Sequence, residues 1–149
     1  MTINEVCQLF QQGRISPFPI PILRNPQFAE FTQLSKIARQ YIHGECHFWS
    51  LTLLRRQPEL QLYFVYDHKR LIHSFVVAPN TQLAWDANGI LSLEQITAYW
   101  QELLGRKVRI TPGKKELLAQ LIEPSDDEFR LTEEHITAWL AWLCPKSIH

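Results

Sequence analysis

Glycine and cysteine are scarce in this chain, long apolar runs are missing, and neither sign of charge prevails. Each absence closes off a class of protein. The three cysteines, at 7, 46 and 144, form no Cys-x-x-Cys pair and no even set, which argues against a disulfide framework and for a reducing compartment. Fifteen basic residues balance fifteen acidic ones, so no net field advertises nucleic acid or an anionic membrane surface. The pairs Arg55-Arg56 and Lys114-Lys115 read as solvated helix faces. No stretch approaches the about 20 apolar residues of a membrane span, and the start, Met1 to Phe10, carries no basic segment leading into an apolar one. The expectation is a cytoplasmic protein, or one exported by a dedicated machine without a cleaved signal.

What is present is ample core material: 46% apolar and 11% aromatic residues in 149, enough for one domain, 1–149, with a packed interior. Thr2 with Glu5 forms a capping box for a short helix through Ile3, Val6, Cys7 and Phe10, ending at Gly13. The proline-rich connector 16–22 is extended, and Asn25-Pro26 caps a second helix through Phe28, Phe31, Leu34, Ala38 and Tyr41, ending near Gly44. Cys46 opens a third helix that Pro58 stops.

The period then changes to two. "LQLYFVYD", "LIHSFVVA" and "QLAWD" predict a three-stranded antiparallel meander, and "KVRI" a further short strand. Ser92 with Gln95 caps a helix closed by Gly105, "KKELLAQLI" forms a short helix, and a last one carries Ile136, Trp139, Leu140 and Leu143. Helices, then antiparallel strands, then helices make an α+β domain.

Three residues in this layout carry chemistry together. Cys46 stands at a helix start, where unpaired N–H groups and the helix dipole favour a thiolate. His73 lies inside a strand and Asp86 ends the next one. A cysteine hydrolase needs such a set: a thiolate, a base, and a group to orient the base. Geometry supplies a check. An even hairpin loop between the two strands puts Asp86 on the face of His73 as its diagonal neighbour, whereas a three-residue loop without a bulge puts it on the other face.

Each residue also has a plainer reading. A lone cysteine on an apolar helix is ordinarily core filler, a strand histidine ordinarily bonds a carbonyl, and Asp before Asn-Gly is ordinarily a turn residue. His43, Cys46, His47 and His73 are also a zinc-like donor set, although 46 and 47 should point to different faces of a helix. Trp49 and Trp85 flank Cys46 and Asp86 and are candidate walls of a substrate cleft, against core packing as the ordinary role. His68 and His135 read as surface residues. Trp139 and Trp142, three apart on the last helix, suggest one buried and one exposed for a partner.

Gly44-Glu45-Cys46-His47-Phe48 before a helix, His73-Ser74-Phe75-Val76-Val77 on a strand, and Trp85-Asp86-Ala87-Asn88-Gly89 before Leu93-Glu94 resemble the papain-like cysteine hydrolase fold. The order Cys, His, Asp is that of its transglutaminase-like and bacterial cell-wall-peptidase-like branch, which also includes bacterial glutamine deamidases and toxin domains. The resemblance covers about 44–100 and leaves the helical flanks 1–40 and 105–149 unassigned.

It implies an antiparallel sheet of three to four strands packed against helices, with the nucleophile at a helix N-terminus. Cys46 would be the nucleophile, His73 the base and Asp86 the orienting residue. The activity implied is hydrolysis of an amide or thioester in a protein or peptide substrate, peptidase- or deamidase-like, without a cofactor. The Cys46 backbone N–H would hold the oxyanion with a second donor, for which His43 and Tyr41 are candidates. The rival reading is a non-catalytic interaction or immunity-type domain with the same elements.

Overall fold

A computed structural model describes residues 5, 21–24, 32–79, 83–123 and 125–143, with backbone alone at 32, 142 and 143. The helix expected over Thr2–Gly13 lies outside the described residues except for Glu5, which is helical and exposed. So do Cys7 and Cys144, the Asn25-Pro26 cap, Asn80-Thr81, His149 and the side chain of Trp142. Of the connector, Pro21 and Ile22 are described, and Ile22–Arg24 forms a 3-10 turn.

Helix α1 (Thr32–Ile42) buries Leu34, Ile37, Ala38, Tyr41 and Ile42 along one stripe. Two residues of turn and Glu45 lead into α2 (Cys46–Arg56), which buries Cys46, Trp49, Ser50, Thr52, Leu53 and Leu54. The alternating segments form β1 (Gln61–Asp67) and β2 (Arg70–Val77), joined by a two-residue turn, followed by β3 (Ala84–Asp86). The chain turns at Ala87 and Asn88, and Gly89 opens β4 (Gly89–Leu91) with φ 136° that favours glycine there.

The expected capping box is present at α3 (Leu93–Leu104): the Gln95 N–H donates to the Ser92 hydroxyl, and the Ser92 N–H donates to the Gln95 side chain. Gly105 ends the helix with φ 69°. Strand β5 (Arg109–Pro112), α4 (Lys115–Leu121) and α5 (Asp126–Leu143) complete the described chain.

The fold is α+β, with five α-helices among the described residues and an open antiparallel sheet in the order β4-β3-β2-β1-β5. The sheet therefore has five strands where three to four were expected. The additional strand, β4, is a three-residue apolar segment too short for its period to show. Strand β5 returns to the far edge and pairs with β1, so the flank 105–149 is not wholly helical.

Leu118, Ile136, Trp139 and Leu140 of that flank join the same core cluster as α1, α2 and the sheet. Trp139 packs between Trp49 and Trp85, at ring separations of 5.5 and 5.7 Å, and its indole N–H donates to the Ala87 carbonyl. Among the described residues no helix is long and apolar enough to cross a membrane.

Candidate functional site

The hairpin from β2 to β3 decides whether His73 and Asp86 can meet. Val76 pairs with Trp85 and Val77 with Ala84, and the Ala78 N–H continues the ladder to the Leu83 carbonyl at 3.0 Å. Four positions, 79 to 82, then separate the ladder ends, an even number. By this register Asp86 falls opposite Phe75, one pleat along from His73 on the same face.

The side chains do meet: His73 Nε2 lies 3.0 Å from Asp86 Oδ2, both buried. The other carboxylate oxygen, Oδ1, accepts the backbone N–H of Asn88 at 2.8 Å. Asp86 is thus a turn residue and an imidazole partner at once, each oxygen serving one role. Asn88 is anchored in turn, because its Oδ1 and its carbonyl accept the N–H groups of Leu23 and Ile22 at 2.8 Å each.

His73 is fully buried, between Phe75 and Trp100 at ring separations of 6.2 and 5.1 Å. Strict alternation along β2 fails just before it. The pairing with β1 shifts between Val65–His73 and Tyr66–Leu71, so Ile72 is an extra residue in a bulge. Bulges recur where a side chain has to be re-aimed. With Nε2 engaged by Asp86, the remaining ring nitrogen, Nδ1, is buried without a formed hydrogen bond.

Cys46 is the first residue of α2 and is 5% exposed. Glu45, at the N-cap position, does not cap the helix; its carboxylate accepts from the Gln40 amide at 2.6 Å. The first-turn N–H groups are therefore left to a negative group on or near Cys46. Burial pushes the Cys46 thiol up, but the imidazoles of His47 and His73 outweigh it and bring it to about 5. Burial likewise opposes a charged His73, and the Asp86 carboxylate and Cys46 thiolate outweigh it, raising His73 to about 9. Between those values the pair rests as thiolate and imidazolium.

Cys46 lines a cavity of about 230 Å³ together with Ile42, His43, Gly44, Arg70, Ile72, Trp100 and Leu104. Trp100 and Ile72 carried no chemical signature; they belonged to ordinary apolar patterns. Of the two candidate oxyanion donors, His43 lines the cavity and its Nε2 lies 2.7 Å from the Tyr99 hydroxyl. Burial keeps that phenol at about 12, so it stays protonated and shares a hydrogen bond with Nε2. Tyr41 is buried, bonded to Thr132 and His135, and is not among the residues lining the cavity.

Three expectations need correction. Trp49 and Trp85, at 1% and 0% exposure, wall no cleft, because Trp139 wedges them into the core. His135 is not a free surface residue: its Nδ1 lies 2.6 Å from the Tyr41 hydroxyl. His47 does not point away from Cys46; its Nδ1 lies 3.6 Å from the sulfur. Side chains in a helix lean toward its N-terminus, and Ser74 of β2 holds the ring there at 2.8 Å. Among the described residues no group of three or more His, Cys, Asp or Glu could hold a metal ion. No family model, curated protein or solved structure matches the chain.

Proposed function

We propose that this chain is a cysteine hydrolase of papain-like architecture acting on an amide or thioester in a protein or peptide substrate. The observation that carries the reading is the continuous set Cys46, His73 and Asp86. A sulfur at an uncapped helix start is coupled to a buried imidazole whose far nitrogen is held by a carboxylate.

In the reaction the Cys46 thiolate adds to the substrate carbonyl carbon. The new oxyanion takes hydrogen bonds from the Cys46 backbone N–H and from His43. Collapse breaks the carbon–nitrogen bond, and the His73 imidazolium gives its proton to the departing nitrogen. A neutral thioester and a neutral imidazole remain. Water then loses a proton to His73 as its oxygen adds to the thioester, the carbon–sulfur bond breaks, and acid product leaves with the thiolate–imidazolium pair restored. A peptidase releases an amine and a side-chain deamidase releases ammonia from this same centre.

Iodoacetamide labelling at pH 6, read by mass spectrometry, tests the nucleophile. A thiol at about 5 is about nine-tenths thiolate there, whereas an ordinary one is under about one per cent. Cys46 should label and Cys7 and Cys144 should not; equal labelling of the three would sink the reading.

A non-catalytic interaction domain is the second reading, and one observation favours it. His73 has no exposed surface and does not line the cavity over Cys46. If it holds, Cys46→Ser and His73→Ala, where stable, should leave partner binding unchanged within about half a kcal/mol.

A further inference from the structure

The triad leaves a second buried polar cluster beside the sulfur unexplained. Ser50 and Ser74 are 0% and 1% exposed. The Ser74 hydroxyl donates to the Ser50 hydroxyl at 3.0 Å. With the Ser74 hydrogen on Ser50, Ser74 offers His47 a lone pair, and the matching tautomer of His47 carries its hydrogen on Nδ1. That same nitrogen lies 3.6 Å from the Cys46 sulfur. In that tautomer the Nδ1–H of a half-buried histidine is shared, with Ser74 as the nearer acceptor and the Cys46 sulfur as the longer one, in a chain that spans α2 and β2.

We propose that His47 is a positioning residue for the nucleophile: its Nδ1–H, oriented by Ser74 and Ser50, holds the Cys46 sulfur as thiolate independently of His73. The inference rests on Cys46 being the nucleophile. It divides the two imidazoles by task. His73 moves protons during turnover and is held by Asp86, whereas His47 keeps one N–H on the sulfur and is held by neutral hydroxyls. His43 and Arg70 also line the cavity beside Cys46, and the Glu45 carboxylate, bonded to Gln40, precedes it in the chain. None of these hydrogen-bonds the sulfur as His47 does, so none substitutes for it.

The experiment is the pH dependence of Cys46 alkylation by iodoacetamide in the full chain, with thermal unfolding of every variant. The wild-type midpoint should lie near 5. His47→Gln should move it up by about one pH unit, about a tenfold loss of thiolate well below the wild-type midpoint, as expected for one hydrogen bond to a charged acceptor. Ser74→Ala keeps the imidazole but frees its orientation, and should move the midpoint the same way by roughly threefold in thiolate. If His47→Gln does not fold, Ser74→Ala and the nitrogen-15 shifts of His47 in the wild type decide the matter.

A neutral His47 carrying its proton on Nε2 would overturn the proposal. So would a wild-type midpoint near 5 that neither variant moves. A wild-type midpoint in the ordinary thiol range would instead overturn the nucleophile itself, a distinct outcome.

Discussion

Two buried clusters in this protein each join a histidine to an oxygen-bearing partner, and they differ in what is left over. At the contact of α1 with α5, the Tyr41 hydroxyl bonds Thr132 at 3.2 Å and His135 at 2.6 Å. Its groups are two hydroxyls and an imidazole, with no carboxylate among them. At the start of α2, His73 is bonded to a carboxylate through one nitrogen while the other is buried and unbonded beside a sulfur. An interior that spends its polar groups fully is holding elements together. One that leaves an imidazole nitrogen without a closed hydrogen bond beside a sulfur is destabilised locally, and such places are where chemistry is done. The first cluster should answer to stability measurements and the second to activity.

The largest effects should therefore come from the second cluster. Cys46→Ser and His73→Ala should each lower amide or thioester hydrolysis by at least about a thousandfold while leaving thermal unfolding cooperative. Loss of fold in step with loss of function would make both residues core filler. Asp86→Asn should cost less, about ten- to a hundredfold, because an amide oxygen can still accept from one of the two N–H groups that Asp86 serves. The basic limb of the pH–rate profile, set by His73 near 9, should move down in that variant. An unmoved limb would separate Asp86 from the imidazole's charge.

A smaller effect is the pH dependence of stability, and its sign follows from the two shifts. Cys46 goes from an ordinary 9.0 to about 5, and His73 from 6.5 to about 9. Between about 5 and 6.5 the folded chain has lost the Cys46 proton while the unfolded chain keeps it. Stability then climbs with pH, by at most roughly 1.4 kcal/mol per unit. From 6.5 to about 9 the folded chain keeps a His73 proton that the unfolded chain has lost, and the two contributions cancel into a plateau. Urea titrations at a series of pH values check this. Cys46→Ser should abolish the climb and turn the plateau into a decline, and a variant curve parallel to the wild type would deny the ion pair.

Much of this was legible in the residues, for identifiable reasons. Local rules sufficed where one residue type satisfies one backbone need, as at the Ser92–Gln95 capping box and Gly105. Period-two alternation and the even separation of the β2–β3 ladder ends made the meeting of His73 with Asp86 a question of register that could be posed in advance. What escaped depends on tertiary placement. The bulge at Ile72 has no composition of its own. Trp49 and Trp85 became core because Trp139, more than fifty residues on, wedges between them. His47 gained its place from Ser74, and His135 from Tyr41, partners on distant elements that no spacing rule connects.

The smallest expected effect belongs to the first cluster and is the sharpest check on the comparison. Tyr41→Phe removes one hydroxyl and keeps the ring that packs on Trp49 at 5.0 Å. It should cost about 1 kcal/mol in denaturant unfolding, the worth of a typical hydrogen bond whose partners are partly left unmet. Hydrolysis per folded molecule should not change, since the hydroxyl faces Thr132 and His135 and Tyr41 does not line the cavity over Cys46. Yet Tyr41 lies five residues before the nucleophile, on the helix that leads into α2. A fall in kcat larger than the fall in stability would show that this contact sets the position of the α2 start. The two clusters would then be one device, and the division between holding and reacting would fail.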